Sequence, residues 1–267
     1  MAYEIIQKTS ISKKSAKELI MTMAIWGNNN YGLKTEREVI DFFRRRNINI
    51  GQLIEQCHTH PSHVPFNNLI GPTWQACGEG QVAIVNSKAG EEFAVYGPGE
   101  FTTSDYWGKF NSADQLLRKS IEFKSFQEFQ NALINGMASI ESYINYRAIE
   151  WNGTNPTIPI DIAGRISLDE KVDLWLPIML NGKRFDKERN KKWSDYQVLK
   201  QIRDNTGIHP KQSVSQITYK DLVKLQNLYR SGIAGLLMDL HKLFNERMPV
   251  VIIRRYYAPD VVFQEIP

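Results

Sequence analysis

The chain is poor in cysteine, with only Cys57 and Cys77 among its 267 residues. Two thiols do not make the disulfide framework of a small secreted domain, so reduced side chains are expected. No run approaches the roughly eighteen apolar residues of a membrane-spanning helix, and the opening M-A-Y-E-I-I-Q-K-T-S lacks the basic-then-apolar order of a signal peptide. A cytoplasmic location away from membranes is the expectation. Glycine-rich phosphate loops, nucleophile elbows and zinc-protease motifs are missing, and Asp161, Asp169 and Asp173 show no spacing that would hold two metals. These absences exclude the commoner nucleotide-hydrolysing, serine-hydrolase and metallohydrolase patterns, and no cofactor is expected. No internal repeat or low-complexity tract is visible.

What is present fits a mainly α chain with a smaller mixed α+β N-terminal region. The division expected is residues 1–115 for the mixed region and 116–267 for a helical bundle with C-terminal strands. Lys14 to Trp26 reads as a helix, Asn28 to Gly32 as a turn, and Glu36 to Arg46 as a second helix on Val39, Ile40, Phe42 and Phe43. A short third helix is predicted from Gln52 to Gln56. Val82 to Val85 and Phe93 to Tyr96 flank Ser87-Lys88-Ala89-Gly90, a hairpin signal that Gly97-Pro98-Gly99 closes.

Helical signals are denser in the second half. Ser112 to Gln115, Ser125 to Glu128 and Ser167 to Glu170 each place a hydroxyl acceptor three residues before a side chain able to reach back, the pattern of a capping box. Phe126 to Trp151 presents Phe129, Leu133, Met137, Ile140, Ile144 and Ala148 on one stripe. Thr218 to Phe244 presents Leu222, Leu225, Tyr229, Ile233, Leu236 and Leu240 on another. Pro177, which lacks a donor, predicts a kink in the helix that starts at Ser167. Val250 to Ile253 and Val261 to Phe263 read as strands able to pair with the N-terminal hairpin or with Tyr3 to Ile6.

The segment from Trp193 to Pro210, W-S-D-Y-Q-V-L-K-Q-I-R-D-N-T-G-I-H-P, carries the candidate chemistry. Trp193, Tyr196, Leu199 and Ile202 recur at helical spacing, and Gly207 followed by Pro210 is a stop signal, which puts Arg203 on the last turn with Asp204 beside it and His209 just beyond. Arginine is permanently cationic and grips phosphate in a fork, whereas imidazole titrates near neutral pH and serves as a general acid or base. The alternative is an ordinary helix end, with Arg203 complementing the macrodipole and His209 bonding a carbonyl. Nine basic residues lie between Gly182 and Lys211 (Lys183, Arg184, Lys187, Arg189, Lys191, Lys192, Lys200, Arg203 and Lys211) against four acidic ones. That segment is +5 in a chain of net charge +4, the footprint of a polyanion site or of a solvated loop.

The order of a long helix, S-L-D-E-K-V-D-L-W-L-P-I-M-L, the tryptophan-led R-D-N-T-G-I-H-P helix and a final long amphipathic helix, over about residues 116–245, resembles the HEPN superfamily of helical domains. Arg203, Asp204 and His209 match the Arg, polar and His positions of its nuclease motif, although Asn is commoner where Asp204 stands. The resemblance implies a HEPN-like bundle and a homodimer whose motif helices meet. It also implies RNA cleavage without metal, with catalytic Arg203, Asp204 and His209, while the charge of the segment, read by itself, puts its other basic residues on the RNA.

Other constellations carry other readings. Cys57, His58, His60, His63 and Cys77 include enough ligand types for zinc but no standard paired spacing, and exposed loop histidines are the alternative. Glu141 reads as a boundary residue paired with a lysine, or as a site carboxylate facing the motif. His241 reads as a core or rim histidine. The three N-terminal helices and the hairpin are also compatible with a winged-helix DNA binder holding phosphates with Arg44, Arg45 and Arg46. A third possibility is a non-catalytic HEPN-like scaffold that binds protein or nucleic acid.

Overall fold

The computed structural model describes residues 2–27, 31–61, 72–78, 81–86, 91–96, 106–208 and 217–266. The fold is mainly helical, as the periodicity requires, and small antiparallel sheets accompany the helices. The chain forms two compact units. One holds residues 1–7, 104–245 and 260–267, and the other holds residues 8–103 and 246–259. Both units are therefore discontinuous, unlike a simple division at residue 115, because strand pairing draws the two ends of the chain together. Strand β1 (Ala2–Gln7) lies antiparallel to β2 (Val261–Ile266), with Ile5 opposite Phe263 and Ile6 opposite Val262. Tyr3 stacks on Phe263 at 4.8 Å between ring centroids.

In the larger unit α1 (Tyr106–Glu122) packs along α2 (Phe126–Thr154), and the short connection between them contains Lys124 at φ 51°. The expected capping box at Ser112 is not a helix start. Helical burial of Phe110, Ala113 and Leu117 runs back to Tyr106, and Asp114 inside the helix pairs with Arg118 instead. Ser125 does cap α2, accepting from the Glu128 N–H at 3.2 Å, and the expected stripe of that helix is buried. Ser167 caps α3 (Leu168–Glu170) through a complete box with Glu170. The chain then widens into a π-helical turn, Lys171–Trp175, before α4 (Leu176–Met179). The disturbance expected from Pro177 is thus met by a wider turn in the residues before it, where its missing donor and its ring would otherwise crowd the preceding carbonyls.

Helix α5 (Lys191–Arg203) begins at Asn190, whose side chain accepts from the Trp193 N–H at 3.0 Å, and a π turn, Asp204–Ile208, follows it. The last amphipathic stretch starts at a Thr218–Asp221 capping box. It runs as α6 (Tyr219–Tyr229), a π turn at Arg230–Gly235, and α7 (Leu236–Leu243). All six apolar positions of its predicted stripe are buried. Gly232 explains the close seating of α5, because a Cβ there would lie 2.8 Å from the Tyr196 nitrogen and 2.9 Å from the Asp195 carbonyl carbon.

The smaller unit contains α8 (Lys13–Trp26), α9 (Glu36–Arg45) and α10 (Ile50–Thr59). A Thr35–Glu38 capping box starts α9, and Asn47 at φ 57° turns the chain into α10. Strands β3 (Pro72–Gly78), β4 (Gln81–Asn86) and β5 (Glu91–Tyr96) form an antiparallel sheet in chain order, so the predicted hairpin gains a third strand. Residues Val250–Tyr256 form helix α11, correcting the expected strand at Val250 to Ile253. Pro249 stands at its N-cap, and burial of Ile252, Ile253 and Arg255 overrides the β preference of the branched side chains. The Met248 N–H bonds the Trp26 carbonyl at 2.8 Å, tying this segment to α8.

Gly232→Ala should destabilise the chain by about 2 kcal/mol, because overpacking against backbone outweighs the roughly 1 kcal/mol of helical propensity that alanine adds. Urea denaturation checks this, and an unchanged or higher midpoint would show that the π turn and α5 can part without cost.

Candidate functional site

Helix α5 buries Trp193, Tyr196 and Leu199, and this leaves Gln197, Lys200 and Arg203 near the boundary with solvent. Arg203 is the last residue of the helix, and its guanidinium donates through Nε at 2.9 Å and Nη2 at 2.7 Å to one oxygen of Asp204. The adjacent carboxylate fixes the plane of the arginine, whose side chain is 23% exposed. His209 and Lys211 lie outside the described residues.

A carboxylate without a sequence-level role organises the flank of α5. Asp169, on α3, accepts from Lys200 Nζ at 2.7 Å and Gln197 Nε2 at 2.8 Å, and its backbone carbonyl accepts from Lys187 Nζ at 2.8 Å. Burial pushes the Asp169 carboxyl up, yet hydrogen bonding and charge from Lys200, with help from Lys187 and Gln197, outweigh it and hold the group below its ordinary value. Lys171 is buried and donates to Glu141 at 2.5 Å and to Asn145 at 3.0 Å. Glu141 is therefore the lysine-paired boundary residue of the two readings offered by the sequence. Burial raises the phenol of Tyr196, which also feels the charges of Arg203, Asp169, Glu141 and Asp204.

The basic segment is largely neutralised within the chain. Lys187 pairs with Asp173 at 2.7 Å, Lys191 with Asp195 at 2.9 Å, Lys192 with Asp239 at 2.5 Å and Lys200 with Asp169 at 2.7 Å. Arg189 approaches Asp186 at 3.9 Å while remaining 90% exposed. Lys183 and Arg184 are exposed and form no ion pair among the described residues. Three of the neutralising carboxylates, Asp169, Asp173 and Asp239, come from outside the segment, so its net charge in sequence overstates the positive charge offered to a ligand. The only hint available beforehand was an acidic surplus elsewhere in the chain.

The possible metal ligands are dispersed as far as they are described. Cys57 is buried in the core, and burial pushes its thiol up to about 11. His58 donates through Nδ1 to the Ile11 carbonyl. His63 lies outside the described residues, and no cluster of three candidate ligands occurs among those that are described. His241 is buried, stacked on Tyr143 at 4.4 Å and 5.5 Å from the Tyr106 ring. No described helix is long and apolar enough to cross a membrane.

No family model, curated protein or solved structure matches this chain.

Asp169→Asn should cost about 1 kcal/mol at neutral pH, a value kept small because the side chain is a third exposed and solvent screens its ion pair. The native carboxyl titrates below its ordinary value of 3.8, so its stabilisation is full above that pH and disappears as pH falls through the lower folded value. The stability difference between wild type and Asp169→Asn should therefore be smaller in denaturation at pH 2 than at pH 7. Equal differences at both would assign the loss to geometry rather than charge.

Proposed function

We propose that the protein is a metal-independent endoribonuclease of the HEPN type. The observation that carries this reading is Arg203, held in plane by Asp204 at the end of an amphipathic helix, six residues before His209 in the sequence. In the proposed reaction the ribose 2′-OH attacks the adjacent phosphorus and the bond to the 5′ oxygen breaks, leaving a 2′,3′-cyclic phosphate. His209 assists transfer of the proton lost by the 2′-OH and gained by the leaving oxygen. Arg203 stabilises negative charge on the phosphoryl oxygens, and Asp204 aligns the guanidinium. A homodimer that brings two such helices together would line one cleft with both sets, as the resemblance implies. RNA would meet Lys183, Arg184 and Arg189 first, since the remaining described cations of the segment have carboxylate partners.

A second reading has its own support in the smaller unit. Helices α9 and α10 are joined by a four-residue turn through Asn47, and an antiparallel sheet follows them, an order compatible with a winged-helix DNA binder. Gln52 and Gln56 are exposed on α10, and Arg44 and Arg45 on α9. Arg46 contributes less to phosphate binding in this reading, because its guanidinium lies 3.8 Å over the Phe42 ring.

Cleavage of single-stranded RNA should persist in EDTA and fall by a factor of about 100 or more in His209→Ala, with comparable loss in Arg203→Ala and a smaller one in Asp204→Ala. Cleavage that survives His209→Ala, or that stops on chelation, would remove this mechanism. Joint replacement of Lys183, Arg184 and Arg189 by alanine should weaken RNA binding and flatten its salt dependence. An unchanged slope would move the RNA to another surface. Duplex DNA binding that is lost in Gln52→Ala/Gln56→Ala and kept in His209→Ala would favour the second reading.

A further inference from the structure

The two-stranded ribbon of β1 and β2 leaves one edge with a self-complementary pattern. In an antiparallel ladder the N–H and C=O of one residue point to the same side, and those of its neighbours point to the other. Asn227 on α6 takes both backbone groups of Val261, donating from Nδ2 to its carbonyl at 2.9 Å and accepting its N–H at Oδ1 at 3.1 Å. Val261, Phe263 and Glu265 therefore turn their backbone groups away from β1, while Val262, Gln264 and Ile266 turn theirs toward it. The Asn227 amide acts as a one-residue substitute for a neighbouring strand at the Val261 end. Beyond it, the backbone groups of Phe263 and Glu265 meet no partner among the described residues. Gln264, Glu265 and Ile266 are exposed.

We propose that this edge pairs with a second copy of the chain, antiparallel, about a two-fold axis at Gln264. The register follows from parity. Placing Gln264 opposite the partner's Gln264 sets Phe263 opposite the partner's Glu265 and Glu265 opposite the partner's Phe263. All four residues present outward donors and acceptors, so four backbone hydrogen bonds form at once. On the other face Val262 meets the partner's Ile266, and Ile266 meets the partner's Val262, while the two glutamines can exchange carboxamide hydrogen bonds. The strand V-V-F-Q-E-I also lacks the proline and lysine with which exposed edges are commonly blocked. A shift of one residue would place inward-turned groups at the contact, and moving the axis to Phe263 would pair Glu265 with the partner's Val261, whose groups Asn227 already holds, leaving fewer hydrogen bonds than the axis at Gln264. Four bonds and a short strand make a small interface, and the dimer is weak and concentration-dependent.

The test uses the full chain with Cys77→Ser, the core thiol Cys57 being left in place. Gln264→Cys should give a disulfide-linked dimer under mild oxidation, in a yield that rises with protein concentration, because non-hydrogen-bonded antiparallel partners sit about 4.5 Å apart at Cα. Glu265→Cys should cross-link poorly, since its symmetry mate lies about 9 Å away, beyond the roughly 7 Å a disulfide spans. Adding Glu265→Pro to Gln264→Cys removes an outward donor without costing a bond to β1, and should abolish the cross-link while the melting temperature stays close to that of the parent. The proposal is overturned by absence of the Gln264→Cys dimer, by equal cross-linking at both positions, by cross-linking that survives the proline, or by a monomeric chain whose edge captures an added extended peptide instead. This contact does not rest on the nuclease reading, because cross-linking and RNA cleavage are measured separately.

Discussion

The close approach of the π turn at Arg230–Gly235 to helix α5 is the constraint on which the candidate site depends. Gly232 sits where any side chain would meet the Tyr196 and Asp195 backbone, and this lets Trp193, Tyr196 and Leu199 be buried in the same helix that carries Arg203. Close packing converts a short backbone distance into a fixed helix position, since protein interiors have little free volume to absorb a shift. The arginine is thereby placed at the end of a rigid element rather than on a loop. Its plane is then set locally by Asp204.

Electrostatics on the flank of that helix work toward order as much as toward ligand attraction. Asp169 gathers Lys200 and Gln197 from α5 and, through its backbone carbonyl, Lys187 from the preceding segment. Asp239 similarly holds Lys192 and Asn190 at the start of the helix. Partly buried pairs of this kind are more strongly coupled than exposed ones, and removing one partner strands the other. The basic segment consequently has a structural share, with Lys187, Lys192 and Lys200 anchoring α5, and a solvent-facing share in Lys183, Arg184 and Arg189. A net charge counted along the sequence cannot separate the two.

Legibility in the sequence followed the range of the interactions. The Ser167 box, the Ser125 cap, the stripes of α2 and of α6 with α7, and the burial of Trp193, Tyr196 and Leu199 were all readable, because caps and amphipathic faces involve residues within about one helical turn. The Ser112 box had the right residue types and failed, since nothing local to it recorded that Tyr106 already continues the helix. Val250 to Ile253 failed for the opposite reason. Branched side chains favour strands, but packing of Ile252 and Ile253 in the core of the smaller unit decided for a helix.

The sequence by itself determined that the chain is mainly helical, that Arg203 ends an amphipathic helix with Asp204 adjacent, and that Val261 to Phe263 are extended. Each of these rests on periodicity, capping or propensity over a few neighbouring residues. Only the tertiary structure decided that β1 pairs with β2 across the length of the chain, that residues 246–259 join the smaller unit, and that Asp169, Asp173 and Asp239 neutralise much of the basic segment. Those outcomes depend on contacts between residues distant in sequence, whose closeness is set by how the helices pack and leaves no periodic signature in the chain.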